Sequence, residues 1–337
     1  MDRDERERTN DALREMIERS DSGAPAVGSK VRDRFSTDEI YQRVVVYGDY
    51  ELTAGRRELF FSGLAGGFAI AITFLLYVSL YGAFDGRPVL SQLLYPLGFI
   101  FIILGGYQLY TENTLPPVAL VLERLASLPL LLAVFLVVLA GNALGAILGA
   151  ILFSTTGVVS GDAAQAGIFL GEQALELSVI DLFFKALVAG FLVAGVVWMD
   201  FAADSTVARL ILIYLVFLSI PVAGLYHVVV SFTELIFFVL ETSGSLVELS
   251  RQFADGLLTF ILPVLLGNTL GGILLVTVVN YYQTTARRLE AIRNPKSENP
   301  LKLAETLFGG FVGRDYVPPA EMTQIEQERN AATESES

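Results

Sequence analysis

The sequence predicts an all-α membrane protein with six transmembrane helices, two of them broken, arranged as an inverted repeat. Three observations lead to this fold class. Long apolar runs fill the middle of a chain of 337 residues that is 53% hydrophobic, and about 20 apolar residues suffice to cross a bilayer. Polar and helix-breaking residues interrupt the second and fifth runs. A short motif occurs once in each half of the chain.

Charged residues, 18% of the chain, collect at its two ends. We therefore predict a polar cytoplasmic N-terminal tail (1–57), a six-span membrane domain (58–283) and a polar cytoplasmic C-terminal tail (284–337). Within the first tail, Thr9–Ser20 is expected to form a short surface helix. The N-terminus has no apolar segment of the kind found in signal peptides, so none is expected.

Four apolar runs are uninterrupted and predict continuous spans. In the first of them, Ser62, Gly63, Gly66 and Gly67 form a stripe of small residues, which favours close helix packing. Two polar stretches, Ser154–Ser178 and Glu241–Asp255, are expected to be connecting loops. The four predicted spans are Leu59–Ala83, Leu130–Phe153, Val179–Met199 and Leu257–Tyr282.

The second apolar run, Leu93–Leu125, contains too many polar and breaker residues for one smooth helix. Gln108 and the segment Thr111–Thr114 are polar, and Pro116 and Pro117 follow directly. Non-helical backbone at membrane depth is tolerated only where protein buries it or where it lines water. We predict a half-helix, a loop near Tyr110–Asn113 and a second half-helix.

The fifth run, Ile213–Leu240, surrounds the only histidine of the chain, His227. Pro221 and Gly224 precede it, and Ser231 and Glu234 follow, so a break is predicted near Tyr226–Ser231. An ionisable group within the membrane is a functional-site hypothesis by default. The alternative is a neutral histidine that one hydrogen bond ties to a neighbouring helix.

The motif Gly141-Asn142-Ala143-Leu144-Gly145 recurs as Gly267-Asn268-Thr269-Leu270-Gly271. Each copy follows a broken span, in which Gly106-Tyr107-Gln108 matches Gly224-Leu225-Tyr226-His227. Three spans per repeat force the two copies into opposite orientations, and interrupted helices at matching places indicate a permeation site between the halves. Asn142 and Asn268 are expected to bridge the helix breaks, with substrate contact as the alternative.

Charge and composition bound the function further. Basic residues lie mostly on the side of the termini, with only Arg87 and Arg251 on the other, so both termini are expected in the cytoplasm and the protein in the plasma membrane. The net charge of −13 and the scarcity of lysine are typical of a haloarchaeal protein. No cysteine and one histidine are present, so we expect no metal, no cofactor and no nucleic-acid partner.

These residues resemble the formate/nitrite transporter family over Glu58–Tyr282. The resemblance rests on the loop Gly105–Thr114, the histidine of the broken fifth span, the two Gly-Asn segments and Val197-Trp198-Met199. It implies an aquaporin-like six-span protomer in a homopentamer, with one pore per protomer. It also implies passage of small monovalent anions such as formate, nitrite or hydrosulfide.

By position, the resemblance makes His227 the central pore histidine, Thr111 the threonine that faces it, and Leu109 and Tyr110 part of an apolar constriction. Three positions depart from the family pattern. Gln108 replaces an acidic residue, Gly190 an asparagine and Ala174 a lysine. Lys185, further along the fourth span, either supplies a positive charge or extends to the membrane interface.

The function we expect is a membrane channel or transporter for small monovalent anions, with proton linkage through His227 as one route. The alternative within transport is an aquaporin-like pore for small neutral solutes or weak acids. Two other classes are a membrane-embedded enzyme and a sensor or scaffold that uses the tails. The sequence argues against an enzyme, because no metal cluster, nucleophile–base pair or carboxylate pair stands out at membrane depth.

Overall fold

The structure, a computed structural model, describes Phe35, residues 37–284 and residues 301–313. Over these ranges it is built of helices and turns, with one isolated β-bridge between Ala126 and Gly313. The predicted surface helix at Thr9–Ser20 lies outside the described residues. The helices are α1 Thr37–Thr53, α2 Arg56–Ala83, α3 Leu97–Gly105, α4 Pro116–Leu122, α5 Leu128–Thr155, α6 Asp162–Glu176, α7 Val179–Ala202, α8 Thr206–Val222, α9 Val228–Thr242, α10 Leu246–Gln283 and α11 Leu303–Phe308.

Four described helices, α2, α5, α7 and α10, are long and apolar enough to cross a membrane. They contain the four predicted continuous spans. The other two predicted spans are present as pairs of shorter helices, α3 with α4 and α8 with α9. The count of six spans therefore stays a prediction.

Both long connectors differ from the loops expected from the sequence. Ser154–Ser178 contains α6, whose small residues Gly167 and Gly171 lie directly against Phe237 and Phe238 of α9. Glu241–Asp255 includes the first turns of α10, and the Ser245 hydroxyl accepts the Glu248 N–H at 3.2 Å to cap them. The predicted loops were wrong because these segments are amphipathic helices, whose polar residues occupy one face.

The two broken spans end their first halves in the same way. Gly106 and Gly224 adopt left-handed backbone, with φ of 70° and 62°. The next residues then close the helices, Tyr107 donating to the Ile102 carbonyl at 3.0 Å and Leu225 to the Ile220 carbonyl at 2.9 Å. Glycine is favoured here because a side chain at positive φ is strained.

The second break lies earlier than predicted. α8 ends at Val222 and α9 begins at Val228, so only Tyr226 and His227 of the expected Tyr226–Ser231 are outside the helices. Pro221 and Gly224 explain the position, since they are the residues that stop a helix. Ser231 is polar but helical.

Close helix contacts repeat between the two halves. A Cβ on Gly67 of α2 would overlap the carbonyl oxygen of Asn142 in α5, and one on Gly190 of α7 would overlap the carbonyl oxygen of Asn268 in α10. The pairs α2–α5 and α7–α10 are therefore equivalent. Backbones approach this closely only where a residue has no side chain.

Parts of both predicted tails pack against the helical domain. In α1, Tyr41, Val44 and Val45 are fully buried, and Gly48 lies against the carbonyl of Pro116 at the start of α4. Residues 301–313 also contact the domain, because the Ser127 N–H donates to the Val312 carbonyl at 2.8 Å. The tails are thus partly structural.

The contact at Gly190 gives a stability prediction. Gly190→Ala places a methyl group onto the Asn268 carbonyl, and overpacking of this kind costs about 1–3 kcal/mol. We expect a lower midpoint in thermal unfolding of the detergent-purified protein. Gly195→Ala is the matched control on α7, since no described atom lies within 4 Å of a Cβ there. Equal midpoints for the two variants would contradict the proposed contact.

Candidate functional site

The two broken spans meet at one hydrogen bond. The Oγ1 of Thr111, in the first break, lies 2.8 Å from Nε2 of His227, in the second. Both residues are 1% exposed. The Phe99 ring meets the imidazole edge to face at a centroid distance of 5.0 Å and stacks on Phe217 at 3.8 Å. The pair is thus a polar contact enclosed by aromatic carbon.

Asn142 of α5 holds the first break. Its Nδ2 donates to the carbonyl oxygens of Gly63 at 2.7 Å and Gln108 at 2.9 Å, and its Oδ1 accepts the N–H of Tyr110 at 2.8 Å. The amide therefore satisfies the Gln108 carbonyl and the Tyr110 N–H, which the interrupted helix leaves free, and its third bond ties the break to α2. An unsatisfied backbone group costs several kcal/mol in the absence of water.

Asn268 of α10 holds the second break with the same three bonds. Its Nδ2 donates to the carbonyl oxygens of Ala186 at 2.7 Å and Tyr226 at 3.0 Å, and its Oδ1 accepts the N–H of Val228 at 2.8 Å. Both asparagines bridge helix breaks, which is the first of the two roles considered for them. Their amide groups are occupied by the protein's own backbone.

The matching bonds also correct the alignment of the repeat. Gln108 and Tyr226 give their carbonyls to the two asparagines, and Tyr110 and Val228 give their N–H groups. Gln108 is therefore equivalent to Tyr226, and His227 is equivalent to Leu109. The sequence comparison paired Gln108 with His227. The structure shows that the residue two positions after the glycine is the equivalent one in both halves, which is Gln108 after Gly106 and Tyr226 after Gly224.

The other predicted site residues lie beside the pair. Leu109 is fully buried, and the Tyr110 hydroxyl lies 2.7 Å from Oγ1 of Thr269. The side chain of Gln108 is engaged at both ends. Its Nε2 donates to Oε1 of Glu51 at 3.1 Å and its Oε1 accepts from Nδ2 of Asn113 at 2.9 Å.

Glu51 is a site residue that the sequence analysis missed. It comes from α1, in the segment predicted to be a tail, and is 3% exposed. It places a carboxyl against Gln108, at the position where the resemblance led us to expect an acidic residue. An amphipathic pattern over Thr37–Thr53 was the available signal, but no sequence pattern indicates this long-range contact.

A cavity of about 330 Å³ lies on the α1 side of the pair. We call it the Glu51 cavity. Oε2 of Glu51 and Oε1 of Glu112 are buried without a hydrogen-bond partner. Arg209 neutralises Asp200, with Nε and Nη2 at 2.5 and 2.8 Å from the carboxylate oxygens. The lining includes Tyr47, Glu51, Tyr107, Glu112, Asp200 and Arg209.

A second cavity, of about 310 Å³, reaches His227 from the other direction. We call it the Glu234 cavity. Ser62, which binds Gln108, lies near the start of α2, whereas Tyr77 and Tyr81, which line the second cavity, lie near its end. At 1.5 Å rise per residue, the two cavities therefore open toward opposite ends of α2. The Thr111–His227 pair lies between them.

The remaining departures from the family pattern have structural roles. Gly190 allows α7 to contact the Asn268 carbonyl, as described above, and Ala174 is fully buried in α6. Lys185 does not simply extend to an interface, because its Nζ donates to the Gly224 carbonyl at 2.9 Å. It thus caps the end of α8. Among the described residues no group of three or more acidic or histidine side chains is arranged to hold a metal ion.

Two facing broken helices, a buried polar pair and a cavity on each side define a membrane pore protein. The comparisons agree: residues 38–282 match the formate/nitrite transporter family. The chain belongs to this family, and it is an anion channel or transporter rather than an enzyme. It is a multi-pass membrane protein.

Relatives and solved structures support the assignment. The chain is 27% identical to the inner membrane protein YfdC of Escherichia coli, over 84% of this chain and 90% of that one. An FNT family ion channel superposes with a TM-score of 0.63 at 20% identity, over 73% of this chain and 99% of that one. A pentameric formate channel with formate bound gives 0.57 at 19% identity, over 68% and 97%.

Glu51 gives a pH prediction for the docking of α1, which lies outside the apolar spans. Burial raises the pKa of Glu51 from 4.5 to about 8, and the hydrogen bond from Gln108 partly opposes this. When α1 leaves its site, the carboxyl ionises near its ordinary pKa. The contribution of Glu51 to docking is therefore complete below pH 4.5 and is lost as the pH rises to about 8. Within this range the equilibrium constant for docking falls by up to about tenfold per pH unit.

The measurement is trypsin cleavage within α1, expressed as the wild-type rate divided by the Glu51→Gln rate at each pH. The division removes the pH dependence of the protease itself. We expect a ratio that rises across this range, because glutamine does not ionise. Glu172→Gln, at an exposed position of α6, is the control and should cleave like the wild type throughout. A ratio of wild-type to Glu51→Gln cleavage rates that does not change with pH would contradict the prediction.

Proposed function

We propose that this chain conducts small monovalent anions of the formate and nitrite class through a pore in each protomer. The observation that carries the proposal is the Thr111–His227 hydrogen bond, buried between two cavities in a chain of this family. A bare anion is very costly in a dry constriction. A few donors placed at the narrowest point reduce that cost.

The roles follow from the positions. Thr111 and His227 are the donors nearest a passing anion, and Leu109 and Tyr110 belong to the apolar wall. His227 directly precedes α9, so the positive end of that helix dipole also lies at the constriction. Gln108, Asn142 and Asn268 shape the pore through the backbone rather than by contact, because their amide groups are already bonded.

Proton linkage is part of the proposal. Neutralising the anion removes most of the cost of desolvation, and His227 is the titratable member of the buried pair. A pore for neutral solutes is the alternative, and it predicts flux of an uncharged solute such as urea at the rate of formate. The chain is proposed to be a plasma-membrane protein with cytoplasmic termini, and residues 58–283 to be the transporter domain.

The test is flux into liposomes of formate, acetate, nitrite, hydrosulfide and urea, compared side by side. For the wild type we expect formate and nitrite flux that increases as the external pH falls, and no urea flux. His227→Phe fills the same volume next to Phe99 but has no titratable nitrogen. Its anion flux should lose most of this pH dependence. Between pH 7.5 and 5.5, the relative increase in its flux should be smaller than that of the wild type by a factor of about three or more.

Two further variants make this result interpretable. Thr111→Val combined with His227→Phe removes both partners of the bond, so no unpaired hydroxyl remains to disturb the constriction. Tyr282→Phe, at the exposed end of α10 and in the lining of neither cavity, is the aromatic control and should behave as wild type. If His227→Phe keeps the wild-type rates and pH profile, the histidine is a packing residue and proton linkage through it is excluded.

We also propose that the protein is a homopentamer in the lipid bilayer. The support is the solved pentameric formate channel with the same fold, together with exposed apolar side chains on the long helices, such as Phe61, Leu132 and Leu136. Native mass spectrometry in detergent should give a pentamer mass. Monomers or trimers alone would contradict the proposal.

A further inference from the structure

The Glu234 cavity contains polar groups that no described contact uses. Nδ1 of His227 and Oγ of Ser231 are buried without a hydrogen-bond partner, and each residue is only 1% exposed. Both residues line the cavity. Buried polar groups are almost always satisfied by protein, water or a ligand, so these two atoms indicate a binding position beside the imidazole.

A carboxyl group stands at the same position. His227, Ser231 and Glu234 are spaced by four and three residues, so they lie along one face at the start of α9. Glu234 is 8% exposed and lines the same cavity. The acid, the hydroxyl and the imidazole therefore form a row that leads from the cavity to the Thr111–His227 pair.

The titratable side chains around Glu234 are mostly tyrosines. The titratable side chains that face the cavity are Tyr77 and Tyr81 from α2, Tyr95 before α3, and Tyr226 and His227 at the break, and α6 contributes Gln173. Among the described residues that line the cavity there is no lysine or arginine. Lys185 lies at the rim, where its Nζ donates to the Gly224 carbonyl at 2.9 Å, and this bond does not cancel the charge of the ammonium group.

This arrangement restricts the ligand. Two carboxylates cannot both be ionised in close contact, so an anion enters beside Glu234 only if the two share a proton. A planar anion with two oxygens on one atom can share a proton with Glu234 through one oxygen and still accept a hydrogen bond through the other. One oxygen binds the shared proton, and the other accepts from the Ser231 hydroxyl or from His227. Hydrosulfide has one heavy atom, so it has no second acceptor atom to span the row.

We propose that the Glu234 cavity binds a planar two-oxygen monoanion, such as formate, acetate or nitrite, together with one proton shared between the anion and Glu234. This inference rests on the proposed function and specifies its substrate class. Glu234 then acts as a selectivity residue before the constriction. The anion, the carboxylate and the shared proton together carry one negative charge rather than two, which lowers the cost of placing the anion beside Glu234.

The experiment compares initial rates of formate and hydrosulfide uptake into liposomes at one mildly alkaline pH, where sulfide is mainly the hydrosulfide ion, after subtraction of uptake into protein-free liposomes. Glu234→Gln keeps the shape of the side chain but cannot accept the shared proton. We expect the formate-to-hydrosulfide rate ratio to fall about tenfold or more relative to wild type. Glu241→Gln is the matched control on α9. Its carboxyl bonds to the Ser154 hydroxyl at 2.6 Å and is exposed, so the ratio should stay at the wild-type value.

The outcomes separate the two proposals. A wild type that transports neither anion overturns the proposed function. A wild type that transports both, with an unchanged ratio in Glu234→Gln, overturns the cavity assignment alone. If Glu234→Gln does not assemble, Glu234→Asp and Ser231→Ala are measured instead. Each should lower the ratio, the first by moving the carboxyl one methylene away and the second by removing the second contact. Unchanged ratios in both overturn the assignment.

Discussion

The structure depends on satisfying backbone polar groups where two helices break inside an apolar environment. Each break leaves N–H and carbonyl groups without helical partners, and water is not available to replace them. One asparagine per half solves this, with two donated bonds and one accepted bond. Glycines at 67 and 190 then let the neighbouring helix reach each asparagine's own carbonyl. The motif that repeats in the sequence is therefore the means by which the breaks are tolerated.

This constraint also places the site. Because both breaks are fixed at equivalent positions, Leu109 of the first half and His227 of the second occupy matching places, so the repeat is symmetric in backbone and asymmetric in chemistry. Only one half contributes an imidazole, and its partner Thr111 comes from the other half two residues after the matching position. The Thr111–His227 contact thus forms where the two broken spans meet, with aromatic side chains beside it. A symmetric pair of polar residues would have been harder to desolvate.

The sequence predicted what depends on length and local composition. Apolar runs located the four long helices, and clusters of proline, glycine and polar residues located both breaks, although the second was placed too late because the polar Ser231 was taken as a sign of irregular backbone. Amphipathic helices were not predicted from the sequence. α6, the first turns of α10 and α1 are polar on one face only, and a criterion based on continuous apolar length does not detect them. Glu51 could not be predicted because its contact with Gln108 joins residues far apart in the chain.

The acidic groups that line the two cavities bear on how such a pore handles anions. Glu51 and Glu112 line one cavity and Glu234 the other, while Arg209 is bound to Asp200 and Lys185 to a backbone carbonyl. Simple attraction by positive charge is therefore weak at the Glu51 cavity, whereas the carbonyl bond leaves the charge of Lys185 at the rim of the Glu234 cavity uncancelled. Carboxyl groups in apolar surroundings favour the presence of a proton, and a proton at the cavity is what makes a weak acid's anion less costly to desolvate. On this argument the acidity of the cavities assists permeation of weak acids and opposes that of anions of strong acids, which do not take up the proton.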